Sequence, residues 1–368
     1  MRTLVVSDLH LGAHSGRDVL RGAHDRAPLL AAAAECDRLL VLGDLLELRH
    51  GPEREALEAS RELLTELGAV LGPDREVIVC PGNHDHHLLT PWLDRRARDA
   101  VPPPLGLETA VEIAPGDSLA AIVRRLAPAR LRVAYPGVWL RDDVYALHGH
   151  YADLHLTIPT IERLGAGVMR RMVAIPDAGP ACAEDYEAAL APLYAWIHAV
   201  AQRVDPARGG HLNGGSVRGW QAMTGSGRRS LRRQAIGVAF PAVIAGLNRA
   251  GLGPLRPELS TAALRRAGLR GLEEAVARLG VGGAAANGAG GPPRAAHVIF
   301  GHTHRAGPLS GDDRAEWVTA SGIQLVNSGC WVQEPSFLGP DPRSSPYRVG
   351  FAVWVGDDGP PELVNLLD

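Results

Sequence analysis

Five short blocks of the 368-residue chain gather the side chains that can hold a metal or move a proton: Asp8-Leu9-His10, Gly43-Asp44, Gly82-Asn83-His84-Asp85, His148-Gly149-His150 and Gly301-His302-Thr303-His304. Carboxylate, imidazole and amide oxygen together suit borderline first-row divalent ions such as manganese, iron or zinc, whereas calcium and magnesium sites draw on oxygen throughout. The seven potential ligands are too many for one catalytic ion that must keep a position open. They suit two ions roughly 3.5–4 Å apart sharing one carboxylate, for which Asp44 is the natural bridge. A lone acid or histidine at a strand end is usually a cap or a solvated side chain. Five blocks in order, each in or beside a glycine turn, are not explained that way.

These blocks need elements that bring them to one edge. The runs TLVVS (3–7), RLLVL (38–42) and EVIVC (76–80) read as buried parallel strands, each followed at once by a polar block. Pro52 opens and Gly68 closes a stretch with Ala56, Leu57, Leu63, Leu64 and Leu67 at helical spacing, which predicts a crossover helix and a βαβ unit. The segment LRVAYPGVWLRDDVYALH (131–148) alternates, with Asp142-Asp143 where a hairpin turn falls, so the sheet is expected to be mixed. HVIFGH, IQLVNSG and FAVWVG form a second strand-rich block. In extended backbone, residues two apart face one side, so Asp8 with His10 and His302 with His304 are expected to aim as pairs at a point beyond the strands. Loops at strand C-termini are also where α/β sheets bind ligands.

Residues 1–150 and 296–368 are therefore expected to make the core, and 151–295 an inserted helical cap. The cap contains Ile161, Leu164, Val168 and Met172, then Ala188, Leu193, Ile197 and Val200, at helical spacing, and it ends in a Gly/Ala/Pro-rich linker. Arg228, Arg229, Arg232 and Arg233 precede an apolar run at 235–247 that is too short to span a bilayer. It reads either as a core helix with a solvated basic start or as peripheral membrane contact through the cap.

Composition narrows the partners. The net charge of -3 argues against bulk nucleic-acid binding, which needs clustered cations. All 38 basic residues are arginine, which we read as coding bias. Cys36, Cys80, Cys182 and Cys330 contain no C-x-x-C pair, so neither a disulfide framework nor a thiolate zinc site is indicated, and a reducing cytoplasm fits. The apolar run after Met1 meets Asp8 too soon for a signal peptide or anchor.

In this order the blocks resemble the calcineurin-like metallophosphoesterase superfamily, whose pattern is D-x-H, G-D, G-N-H-D/E, H and G-H-x-H. The resemblance covers the two outer segments and implies a four-layer α/β/β/α sandwich of two mixed sheets. It implies that Asp8, His10, Asp44 and His304 hold one metal and that Asp44, Asn83, His148 and His302 hold the other. His84 would be the catalytic histidine, oriented by Asp85. His148 or His150 could fill the fourth block; His148 is favoured because it directly follows the strand VYAL, which leaves His150 to face the substrate or to support the ligands from behind. Arg305, next to the last ligand, reads either as a phosphate clamp or as a surface arginine. His14, His86, His87 and His155 lie near the blocks but are not counted among the ligands.

The chemistry implied is hydrolysis of a phosphate ester or anhydride: two divalent ions, manganese first, polarise phosphoryl oxygens and acidify a water, while His84 protonates the leaving oxygen. SDLHLG, LGDLLEL, LHGH and FGHTHR are most similar to the UDP-2,3-diacylglucosamine hydrolases, which pairs a phosphate-containing small molecule with a lipid-linked nucleotide as the candidate substrates. This chain has Gly82-Asn83-His84-Asp85 where those enzymes have G-N-R-D, and His148-Gly149-His150 where they have H-G-D. A non-catalytic scaffold of the same fold is the reading from another class. The complete ligand set and His84 oppose it.

Overall fold

Leucine- and β-branched-rich runs form strands where both faces can be buried. The computed structural model describes residues 1–172, 179–203, 241–258, 260–282, 294–339 and 341–368. Strands β1 (Thr3–Val6), β2 (Arg38–Leu42) and β3 (Glu76–Cys80) pair in parallel, Thr3 opposite Arg38 and Arg38 opposite Glu76, and are buried almost throughout. Helix α1 (Ala23–Ala34) links β1 to β2, and α2 (Glu53–Leu71) links β2 to β3. Pro52 precedes α2, which buries Ala56, Leu63, Leu64, Leu67 and Leu71. The helix runs past the expected stop at Gly68 and is capped by Gly72, at φ 67. Gly68 serves packing instead: a Cβ there would lie 2.2 Å from the carbonyl oxygen of Leu126, the last residue of α4 (Ser118–Leu126). Between them lie α3 (Thr90–Arg96) and β4 (Glu108–Ala110).

The strand that organises the rest is β5 (Arg130–Arg141). Its first residues pair in parallel with β3, and its last pair antiparallel with β6 (Val144–Leu147) across the Asp142-Asp143 turn that the sequence predicts. Strands β7 (His297–Phe300) and β8 (Gln324–Asn327) continue in parallel from β6. β9 (Phe351–Val355) lies antiparallel to β1, with β10 (Glu362–Asn365) beyond it. Where two separate mixed sheets are expected, the hydrogen bonding makes one mixed ten-stranded sheet, because the twelve residues of β5 serve both halves. Val5, Leu40 and Ile78 from one half share a buried cluster with Val138, Ala146 and Ile299 from the other. Each valine, leucine and isoleucine among them contributes about 1.5–3 kcal/mol by burial, which fixes the strand ends against one another.

The chain divides into two compact units, one from Met1–His150, Tyr194–Arg208 and Gly280–Asp368, the other from Tyr151–Leu193 and Gly209–Leu279. The second is helical among its described residues. It contains α5 (Ile161–Met172), most of α6 (Ala183–Ala201), a helical stretch at 241–249 and α7 (Thr261–Arg278). Ser260 caps α7 by accepting from the Ala263 N–H at 3.2 Å. Tyr151 and Tyr186 stack at 4.5 Å, and the Tyr151 hydroxyl donates to the Glu187 carboxylate. The basic cluster at 228–233 lies outside the described residues, as do residues 235–240 of the apolar run and most of the linker. Among the described residues no helix is long and apolar enough to cross a membrane.

Candidate metal centre

The loops after β1 and β2 run side by side. The Asp8 N–H donates to Gly43 O at 3.1 Å, the His10 N–H to Asp44 O at 2.8 Å and the Leu11 N–H to Leu45 O at 3.0 Å. The Gly301 N–H donates to His148 O, which brings the last block to the fourth. Gly43, at φ 84, has to be glycine for space as well, since a Cβ would lie 2.1 Å from the His148 ring.

Asp8, His10, Asp44, His302 and His304 are the non-glycine residues with left-handed backbone among those described, at φ between 45° and 64°. All five are expected ligands. Each such residue costs about 1–2 kcal/mol, so the five together hold strain comparable with the stability of a whole domain. Left-handed turns, and not the extended alternation expected from the sequence, aim Asp8 with His10 and His302 with His304.

Each aspartate divides its labour. Asp8 Oδ2 accepts from the His302 N–H, while buried Oδ1 makes no hydrogen bond and lies 3.3 Å from His304 Nε2 and 3.9 Å from His10 Nε2. Asp44 Oδ1 accepts from the His84 N–H; Oδ2 lies 3.2 Å from His148 Nε2 and 3.6 Å from His10 Nε2. The Nε2 atoms of His10 and His304 are 3.1 Å apart. The side-chain amide of Asn83 stands 3.1 Å from both His148 Nε2 and His302 Nδ1. Its NH2 suits neutral rings, whereas its oxygen suits protonated rings or a cation.

The imidazoles are oriented from behind. His10 Nδ1 bonds the Glu47 carboxylate at 3.0 Å and His148 Nδ1 bonds Leu42 O at 3.0 Å, so a neutral ring carries its hydrogen on Nδ1 and turns a bare Nε2 forward. Burial works against charge on both rings, but the neighbouring carboxylates outweigh it, Glu47 foremost at His10 and Asp44 at His148. His10 is raised to about 9 and His148 to about 10. Protons hold the place of cations here. Donor atoms 3.1–3.9 Å apart run from within to about 0.5 Å beyond the spacing of about 3.0–3.4 Å around an ion with bonds near 2.1 Å, so with a small closure the residues fit divalent metal.

Glu47 is the functional residue that the sequence reading missed. Buried at 2% exposure, it binds His10 through one oxygen, faces His84 Nδ1 at 2.8 and 3.0 Å and accepts from the Arg49 N–H at 2.9 Å. Burial raises its carboxyl, but His84, His50 and His10 hold it well below the ordinary range. The available signal was a single acid inside LLEL, directly after Gly43-Asp44.

Two expectations are corrected. Asp85 does not orient His84: its carboxylate accepts from the backbone N–H groups of Leu45 and Gly82 at 2.8 and 2.7 Å, binding the second block to the third, and Glu47 holds the His84 ring. Arg305 is not free to clamp a phosphate. It makes a two-pronged ion pair with Asp312 at 2.5 and 3.0 Å and lies over the Trp317 ring. His150 stands outside the convergent atoms, buried, its Nε2 at 3.2 Å from the Tyr135 hydroxyl; burial keeps the ring well below its usual range. His84 and His304 are partly exposed, at 23% and 24% of the side chain, and His302 is likewise only partly buried.

Residues 1–215, more than half of the chain, match the calcineurin-like phosphoesterase family. The chain belongs to that family. As a member it is a metal-dependent phosphoester hydrolase by kinship, and its three overlapping His/Asp clusters fit divalent metal. The matched residues stop short of His302 and His304, which this phosphoesterase brings into the cluster by the β6–β7 pairing. No curated protein matches the chain.

Proposed function

We propose that this phosphoesterase hydrolyses a phosphate ester or anhydride with a binuclear centre. Asp8, His10, Asp44 and His304 would hold one divalent ion, and Asp44, Asn83, His148 and His302 the other. The observation that carries the reading is Asp44 Oδ2, anchored through its sister oxygen and facing both donor groups at once. Divalent ions held there would stabilise phosphoryl charge and acidify a water. Glu47 and Leu42 O keep His10 and His148 in the ligating tautomer. His84, fixed at Nδ1 by Glu47 and only partly exposed, would use Nε2 to handle the proton of the leaving oxygen. Burial holds it down to about 4 against the pull of Glu47, so the negative charge of the substrate would have to favour its protonated form.

The two halves of the sheet would be the inner layers of an α/β/β/α sandwich, and 151–295 the cap. A small phosphate-containing substrate is the primary reading. A lipid-linked nucleotide pyrophosphate, with peripheral membrane contact from a cytoplasmic enzyme, depends on the 228–247 segment, most of which lies outside the described residues. Metal analysis with a hydrolysis screen over monoesters, diesters and nucleotide pyrophosphates tests the reading. Asp44→Asn should lose metal and lower turnover by roughly 10³-fold or more. Full metal content with near-normal turnover in that variant would sink the binuclear assignment.

A further inference from the structure

We infer that Glu53, His87 and His198 form a third cation site, a two-imidazole, one-carboxylate set that takes zinc or a similar first-row divalent ion. None of the three belongs to the strand-end cluster. Glu53 opens α2, His87 sits in the single 3-10 turn His86–Leu89 after β3, and His198 lies in the last turn of α6, all within the first unit. One ligand atom from each lies within 4.8 Å of the other two.

The side chains are poor in other partners. His198 is 9% exposed, and its Nε2 is buried without a hydrogen bond; Glu53 Oε1 is buried and likewise unbonded. A buried polar atom without a partner is costly, and here a carboxylate oxygen and an imidazole nitrogen of the same three-residue set both lack one. One cation satisfies both. His87 Nδ1 is engaged with the Thr90 hydroxyl at 3.2 Å, which leaves Nε2 as its ligating atom.

The surroundings hold the set together without metal. The Glu53 N–H donates to Gln202 Oε1 at 3.0 Å, and Gln202 Nε2 donates to Gly51 O at 3.0 Å, which ties the residues just after α6 to the start of α2. The His87 and His198 rings stack at 3.6 Å with 16° between their planes, as two uncharged imidazoles can. Burial lowers the affinity of both rings for a proton, so their lone pairs are available. A ligated ion lies in the plane of each imidazole, so loading requires the stacked pair to splay. Bonds of about 2.0–2.2 Å put tetrahedral ligand atoms about 3.4 Å apart, so loading draws the atoms together as the rings turn out of the stack. The ion would cross-link three segments distant in sequence. These groups offer a buried water the same polar atoms, so water is the rival occupant.

The test is zinc content after equilibrium dialysis of the full chain against buffered Zn2+, measured for wild type, Glu53→Ala and His198→Phe. Phe keeps the stacking and removes the nitrogen. Each variant should hold one equivalent fewer per chain than wild type. The same difference should appear in the Asp44→Asn background, where zinc should raise the urea midpoint of Asp44→Asn more than that of Asp44→Asn/His198→Phe. Equal zinc content and equal response to zinc in the paired proteins would overturn the proposal and leave water as the occupant. Should His198→Phe fail to fold, Glu53→Ala, in the first turn of α2, decides the question alone.

Discussion

The strand-end cluster and the Glu53–His87–His198 set use similar side chains on opposite kinds of backbone. At the strand ends, Asp8, His10, Asp44, His302 and His304 all sit in left-handed conformation, and His10 and His148 are tethered through the far ring nitrogen. In the second set no residue is left-handed, and the two rings rest on each other. Strain is retained where atoms must converge before any ligand arrives. The first cluster is therefore prepared for chemistry, and the second is built to hold an ion and adjust around it.

The largest expected break falls on the prepared cluster. His84→Ala should keep its metal and lose about 10²–10⁴ in kcat with alkyl esters, whose leaving oxygen needs a proton, and far less with p-nitrophenyl esters. Equal losses for the two esters would assign His84 to geometry alone. Glu47→Gln should cost about 10–100-fold in both metal affinity and kcat, because it loosens His10 and His84 together. Asp85→Asn should instead lower stability by roughly 1–2 kcal/mol with metal content unchanged, since its carboxylate binds backbone. If Asp85→Asn shows the kinetic loss and Glu47→Gln does not, the roles drawn from the hydrogen bonds are reversed.

The contrast also explains what could be read in advance. Gly-flanked blocks are conspicuous because a left-handed turn packed against ligands demands glycine next to it, as Gly43 shows beside His148. The parallel strands and the Asp142-Asp143 hairpin are legible for a similar reason, since burial on both faces and tight turns each restrict residue type. Glu47 lies in no such turn and is conspicuous only as a charge among apolar neighbours. Arg305 was misread because its partner, Asp312, approaches through a loop whose path no periodicity encodes. Glu53, His87 and His198 are separated by 34 and 111 positions, and only tertiary packing makes them neighbours.

The two regions should also differ in how pH governs metal uptake. His10 and His148 are raised to about 9 and about 10, so at neutral pH both carry protons in the metal-free protein, and an ion must displace them. Apparent affinity at the strand-end cluster should rise up to about tenfold per pH unit for each proton released, from pH 6 to 8. The second set, whose rings burial makes harder to protonate, should vary less over that range. Calorimetry in buffers of different ionisation enthalpy counts the protons. Uptake at the strand-end cluster that releases none would show that its histidines are already neutral.

The smallest effect probes the strain directly. His304 is left-handed at φ 59 and only partly buried, so glycine there should relieve about 1 kcal/mol of backbone strain while removing a side chain whose Nε2 lies 3.1 Å from that of His10. Metal-free His304→Gly is accordingly expected to unfold at higher urea than wild type, although it binds less metal. His87 lies in an ordinary 3-10 turn, where glycine gains no such relief and costs about 0.5–1 kcal/mol in chain entropy, so His87→Gly should unfold earlier. Urea midpoints at equal slope compare the two. If both variants are destabilised alike, the left-handed ligands are not strained relative to the rest of the chain, and the distinction between a prepared and an adjustable cluster must rest on hydrogen bonding alone.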